Sequence, residues 1–158
     1  MNKREKEKYA LDLMQAYSNL KKELNKFGVC RTEREPTGDY AEWLVASRLR
    51  YVQAENTVQK GYDLFDPQTG KTYQIKARRM FKSHSYKVSI KKYKENYFDF
   101  VILVLFNEDF TVLKAYEFPY EGIKTVFKAN GKDMELMISL STYEKKLSAI
   151  DGIKEIKL

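Results

Sequence analysis

The run Phe98-Asp99-Phe100-Val101-Ile102-Leu103-Val104-Leu105-Phe106 constrains this chain more than any other stretch. A strand with one wet face alternates apolar and polar residues, whereas a nearly unbroken apolar run needs cover on both sides. The run therefore predicts a central strand buried on both faces. Asn107-Glu108-Asp109 turns the chain, and Phe110 to Phe118 returns as another strand. With 158 residues, one domain with a proper hydrophobic core is the default. Apolar residues make up 43% of the chain and aromatics 14%, which excludes a disordered one.

The segment Gly61-Tyr62-Asp63-Leu64-Phe65-Asp66-Pro67-Gln68-Thr69-Gly70-Lys71-Thr72-Tyr73-Gln74-Ile75-Lys76 reads as a β-hairpin around a Pro-Gln-Thr-Gly turn. If Asp66 and Lys71 close a four-residue loop, Leu64 faces Tyr73 and Asp63 lies opposite Gln74. Cross-strand partners share a side of the sheet, and alternation adds Lys76 to that side. Tyr62, Leu64, Tyr73 and Ile75 then take the other face. A loop one residue longer or shorter separates Asp63 from Gln74. In the first register a carboxylate, a carboxamide and an ammonium converge. Carboxylate and amide oxygens are hard ligands suited to Mg²⁺ or Mn²⁺. A lysine beside them can orient an attacking water and stabilise phosphoryl charge, as metal-assisted phosphodiester hydrolysis requires. The plainer reading is a polar, solvated hairpin face.

Two helices precede the hairpin. In residues 4–27, Ala10, Leu13, Tyr17, Leu20, Leu24 and Phe27 recur at spacings of three and four, a short heptad stripe. It serves either as a dimer arm or as a helix packed on its own domain, and its brevity favours the second. Gly28 is a natural stop. Cys30 to Gly38 is a loop carrying Arg31 and Arg34, which could touch a phosphate backbone or remain solvated. From about Asp39 to Tyr51 a second helix places Glu42, Val45, Ala46 and Leu49 on one face. Glu42 heads that apolar stripe and needs a cation, a metal, or its own backbone through a capping box with Asp39. Trp43 lies beside this face as a packing residue.

Residues 52–60 lead into the hairpin as a strand or extended segment. Beyond it, Tyr86 to Ile90 alternates as a third strand, followed by a short helix or turn. Residues 120–129 are weakly helical, Met137 to Leu140 form a short strand, and the end is helix or fraying tail. Residues 1–30 thus form an N-terminal amphipathic helix and 31–158 a single domain.

Charge points to a polyanion. The formal net charge is +7, and Arg78, Arg79, Lys82, Lys87, Lys91, Lys92 and Lys94 form the densest basic region, starting beside the candidate metal site. Such residues position a nucleic-acid backbone without reading its sequence. Cys30 is the only cysteine and His84 the only histidine, so no intramolecular disulfide, cysteine zinc site or two-histidine metal site can form. The start lacks the apolar core of a signal peptide, and Phe100 to Phe106 is too short to span a membrane, so a cytoplasmic location is expected.

A helix bearing Glu42, then Asp63, then Gln74-Ile75-Lys76, then the apolar strand 100–106 resembles the PD-(D/E)xK nuclease superfamily over roughly residues 39–106. The resemblance implies an α/β fold: a restriction-endonuclease-like α-β-β-β-α-β core with a mixed central sheet flanked by helices. Tyr62 stands before Asp63 where that superfamily commonly has Pro, and Gln74 stands where it usually has Asp or Glu. The Gln-x-Lys form is similar to the variant of Mrr-type restriction enzymes and related resolvases. By this resemblance Asp63, Gln74 and the Ile75 carbonyl would bind Mg²⁺, with Mn²⁺ as a substitute. Glu42 would assist directly or through water, and Lys76 would act on the nucleophilic water. The expected activity is DNA endonuclease, in restriction, defence or repair, with RNA left open as a substrate. The alternatives are a catalytically weak nucleic-acid-binding module of the same fold and a small interaction protein dimerising through the first helix.

Overall fold

In the computed structural model, which describes residues 1–55 and 61–158, the first helix is α1, Lys3–Lys26. Asn2 caps it: its Oδ1 accepts the Glu5 N–H at 3.0 Å, and its own N–H donates to Glu5 Oε2 at 2.7 Å. The helix stops where Gly28 turns left-handed at φ 71° and donates to Asn25 O at 2.9 Å. α1 contributes no buried residue, so the stripe expected to pack on its own domain does not do so.

The second helix, α2, spans Thr37–Leu49 and ends at a left-handed Arg50. It starts two residues before Asp39, with Pro36 at the cap, so the expected Asp39–Glu42 capping box does not form. Asp39 Oδ2 instead gathers the preceding loop, accepting the Arg31 and Thr32 N–H groups at 2.7 Å each and the Thr32 hydroxyl at 3.0 Å. Ala41, Leu44 and Val45 form its buried face. Trp43 packs from the side and stacks on Tyr40.

The strands that follow are β1 (Val52–Gln53), β2 (Leu64–Phe65), β3 (Thr72–Arg79), β4 (Ser85–Ile90), β5 (Phe100–Phe106), β6 (Val112–Pro119), β7 (Lys128–Asn130), β8 (Asp133–Ser139) and β9 (Lys154–Ile156). Two short helices, α3 (Ile123–Val126) and α4 (Tyr143–Leu147), flank the last strands. Of the segment 52–60 expected to enter the hairpin, β1 is strand, and 56–60 lies outside the described residues. The chain end is not a fraying tail, because β9 pairs with β6.

One sheet runs β1-β2-β3-β5-β6-β9, with β3 and β5 parallel and the other neighbours antiparallel, so the fold is α/β with a mixed sheet. β4 does not join it. It pairs with β8 in a second sheet of order β4-β8-β7. The crossover from β3 to β5 therefore passes through β4 and a 3-10 turn, Tyr93–Glu95, where the expected core has a helix.

β5 explains its composition. Val101, Leu103 and Leu105 enter a core shared with β4, β8, α3 and α4. Ile102, Val104 and Phe106 enter a second core under α2. Each such burial contributes about 1.5–3 kcal/mol. Both faces of one strand thus hold the two layers together. Among the described residues, no helix is long and apolar enough to cross a membrane.

Candidate functional site

The hairpin register follows from its turn. Asp66 Oδ1 accepts the Gln68 N–H at 2.8 Å and Oδ2 accepts the Thr69 hydroxyl at 2.7 Å, while Gly70 supplies the positive φ of 72°. Asp66 N–H then meets Lys71 O at 2.9 Å, and Leu64 pairs with Tyr73. This is the four-residue loop expected from the sequence.

One residue further the ladder departs from it. Asp63 N–H also donates to Tyr73 O, at 2.9 Å, so Asp63 and Leu64 both oppose Tyr73. Two residues facing one is a β-bulge. It breaks the alternation: Leu64 packs under α2, but Tyr62 goes to the other core rather than to the same face. It also turns the Asp63 carboxylate toward β3. Oδ2 accepts the Ile75 N–H at 2.7 Å and a hydrogen bond from Gln74 Nε2. The carboxylate is thus fixed where β2 begins, by a backbone donor that any residue but proline would supply at 75.

Tyr73, Ile75 and Ala77 lie in the core under α2, so alternation sends Gln74 and Lys76 to the opposite side of β3. Burial lowers the Lys76 pKa, and the charges of Asp63 and Glu42 partly offset this. Burial likewise raises the Asp63 pKa against the Ile75 N–H and Lys76, which lower it. Glu42, from α2, is pushed up to about 7 by burial first and then by Asp63 and Asp39. Its cation is Arg31, whose Nη1 is 4.0 Å from Glu42 Oε2 and whose Nη2 donates to Ala54 O at 3.0 Å. Glu42, Asp63, Gln74, Lys76 and Arg31 therefore form one electrostatic unit. Burial, more than any want of positive charge, raises the pKa of both of its carboxyl groups, since Lys76 and Arg31 pull the other way.

The basic residues divide by geometry. Arg34, Lys76, Arg78 and Arg79 line an open cleft of about 590 Å³ together with the first turn of α2. The Arg78 guanidinium is occupied by protein carbonyls: Nε donates to Lys87 O at 2.9 Å, Nη2 to the same oxygen, and Nη1 to Ala77 O at 2.6 Å. The Arg79 guanidinium lies over Phe81 and Phe110, 5.0 and 4.6 Å from the ring centroids. Lys82 is exposed on the turn between β3 and β4, and Lys94 on the 3-10 turn. Lys87 pairs with Glu135 at 3.0 Å and Lys91 with Asp133 at 2.7 Å, while the Lys92 N–H donates to the same aspartate at 2.9 Å.

Sequence reasoning overlooked Phe110. It holds a φ of 67°, a region that costs an aromatic residue strain. The Asn107-Glu108-Asp109 turn before it was the available signal, because a tight turn needs a left-handed residue. The role of Asp39 in organising the 31–32 loop was also missed, its spacing to Glu42 having suggested a cap.

Among the described residues, no group of three or more His, Cys, Asp or Glu side chains is placed to hold a metal. The hard donors on hand are the Asp63 and Glu42 carboxylates, the Gln74 amide oxygen and the Ile75 carbonyl. No family model and no curated protein matches the chain.

Proposed function

We propose that the chain is a metal-dependent DNA endonuclease with a restriction-endonuclease-like core built from α2, the β2–β3 hairpin and β5. One observation carries this reading: the bulge and the Leu64–Tyr73 register hand the Asp63 carboxylate to Gln74 and Ile75, with Lys76 one residue beyond and Glu42 beside them. The donor set suits a hard dication, because it offers two carboxylates, an amide oxygen and a backbone carbonyl, all hard oxygen ligands. Asp63, Glu42, the Gln74 amide oxygen and the Ile75 carbonyl would hold Mg²⁺ or Mn²⁺. When bound, that ion supplies Lewis-acid polarisation of the phosphodiester.

The remaining work belongs to the chain. Lys76 stabilises charge developing on the phosphoryl oxygens. Glu42 would assist the ion directly or through water, and Lys76 would act on the nucleophilic water. Arg34 and Arg79 on the cleft wall take the phosphate backbone.

The test is cleavage of supercoiled plasmid with Mg²⁺ or Mn²⁺. Wild type should cut, EDTA should stop it, and Lys76→Ala should lose about 10²–10⁴-fold. Equal cutting by both would overturn the assignment. The second reading, a binding module without catalysis, is favoured by one feature: Gln74 brings no negative charge to the ion. That module would retain salt-dependent DNA affinity in Asp63→Ala and Lys76→Ala while wild type cuts nothing.

A further inference from the structure

We propose that α1 is an antiparallel self-association arm, whose partner is α1 of a second copy of this chain. The inference does not depend on the nuclease reading. It starts from an anomaly. α1 has 24 residues and contributes no buried side chain, yet its large apolar residues are between 39% and 78% exposed from Tyr9 to Phe27. Helices of globular proteins draw most of their stability from packing an apolar face. A contiguous apolar stripe of this kind marks an interaction surface.

The stripe's period names the shape of the partner. Ala10, Leu13, Tyr17, Leu20, Leu24 and Phe27 repeat at three and four, the seam that another helix fills. A 24-residue helix is about 36 Å long and about 11 Å wide. Half its flank offers roughly 600 Å², so two copies bury about 1,200 Å², the lower edge for a specific interface.

The residues beside the seam identify the partner as a second α1 and fix its direction. One flank carries Glu7, Met14 and Lys21, and the other Tyr9, Ala16 and Glu23. In an antiparallel pair centred near residue 15, Leu13 meets Tyr17 and Ala10 meets Leu20 across the seam. Glu7 then faces Lys21 of the other copy, Met14 faces Met14, Ala16 faces Ala16, and the Tyr9 hydroxyl reaches Glu23. Small or apolar residues meet at the centre and complementary polar ones on the flanks, while at each end Leu24 and Phe27 lie over the aliphatic stems of Lys6 and Lys3. A parallel pair sets Ala16 against Lys21 and Tyr9 against Met14, and forms neither polar match. Lys21 is already held, pairing with Glu33 Oε2 at 3.6 Å and donating to the Glu33 carbonyl, so little side-chain freedom is left to lose. The helix carries net positive charge, which keeps the association modest and salt-sensitive.

The experiment uses the full chain. Sedimentation velocity should show a monomer converting to a dimer as concentration rises through the micromolar range. Leu13→Asp and Leu20→Asp should each weaken it at least tenfold while the near-UV circular dichroism of the domain stays unchanged. Under oxidation Ala16→Cys should give a covalent dimer and Leu20→Cys should not, because position 16 meets itself and position 20 meets position 10; wild type is the control, with Cys30 buried. A covalent dimer from Leu20→Cys instead would overturn the antiparallel arrangement. A monomer at every concentration would overturn the proposal. So would a monomer whose α1 binds phosphatidylserine-containing vesicles, which would make the stripe a membrane-surface helix. Plasmid cleavage plays no part in any readout, so failure here and failure of the nuclease assignment remain distinguishable.

Discussion

α1 and α2 are adjacent helices with opposite relations to the rest of the molecule. α1 has the cleaner periodic stripe and touches its own domain only near its end, where Leu24 lines an apolar pocket with Val29, Pro36 and Tyr40, whereas α2 has a blurred pattern and buries Thr37, Ala41, Leu44 and Val45. The contrast shows what hydrophobic periodicity reports. It registers that a helix has an apolar side, not that the same chain supplies the cover. α2 reads as blurred because its own Tyr40 and Trp43 pack beside the buried face, Tyr40 against Phe106 and Phe110, so apolar residues occupy more than one side.

The contrast breaks most sharply in activity. Lys76→Ala, at the site α2 helps to form, should lower plasmid cleavage by about 10²–10⁴-fold, and Leu20→Ala on α1 should leave the turnover of each folded chain unchanged. Equal losses would mean that α1 belongs to the site. Stability is the next test. Leu44→Ala should cost about 2–5 kcal/mol in denaturant titrations, because it empties a packed core. Leu20→Ala should cost the monomer no more than about 0.5 kcal/mol.

Acidity sharpens the comparison further, since α2 carries a carboxyl group with a large upward shift. Glu42 titrates at about 7 in the fold against an ordinary 4.5. The fold retains a proton that the unfolded chain releases between these values. Its contribution to stability is therefore full below pH 4.5 and is lost as the pH rises through 7. Glu42→Gln should match wild type near about pH 4 and exceed it by up to about 3 kcal/mol near about pH 8 without divalent ions. Added Mg²⁺ should narrow that lead by stabilising wild type. Urea titrations at the two pH values make the measurement.

Local chemistry made much of this legible in advance. The Asp66 to Lys71 turn, the central position of 100–106 and the Gly28 stop all follow from neighbouring residues. What escaped depends on distant ones. The bulge at Asp63 arises from competition for the Tyr73 carbonyl and leaves no mark on the hydrophobic pattern. β4 alternates as any strand would, so its sequence does not say that β8, some 45 residues on, is its partner. Arg78 and Lys87 looked alike as cations, yet one spends its donors on the backbone of the other.

The parallel pairing of β3 with β5 has a consequence for the order of folding. Thr72 and Asp99 meet across 27 residues, whereas Asp66 and Lys71 close a loop of four. Short loops close early and long-range pairing pays its chain entropy late. The hairpin that gathers Asp63, Gln74 and Lys76 therefore forms before the strand that buries it. Gly70→Ala meets open space and pays only for its left-handed backbone, about 1 kcal/mol. In stopped-flow chevrons that penalty should slow refolding and leave the unfolding limb in place. The candidate catalytic geometry is then set by a local step, and the rest of the sheet is assembled around it.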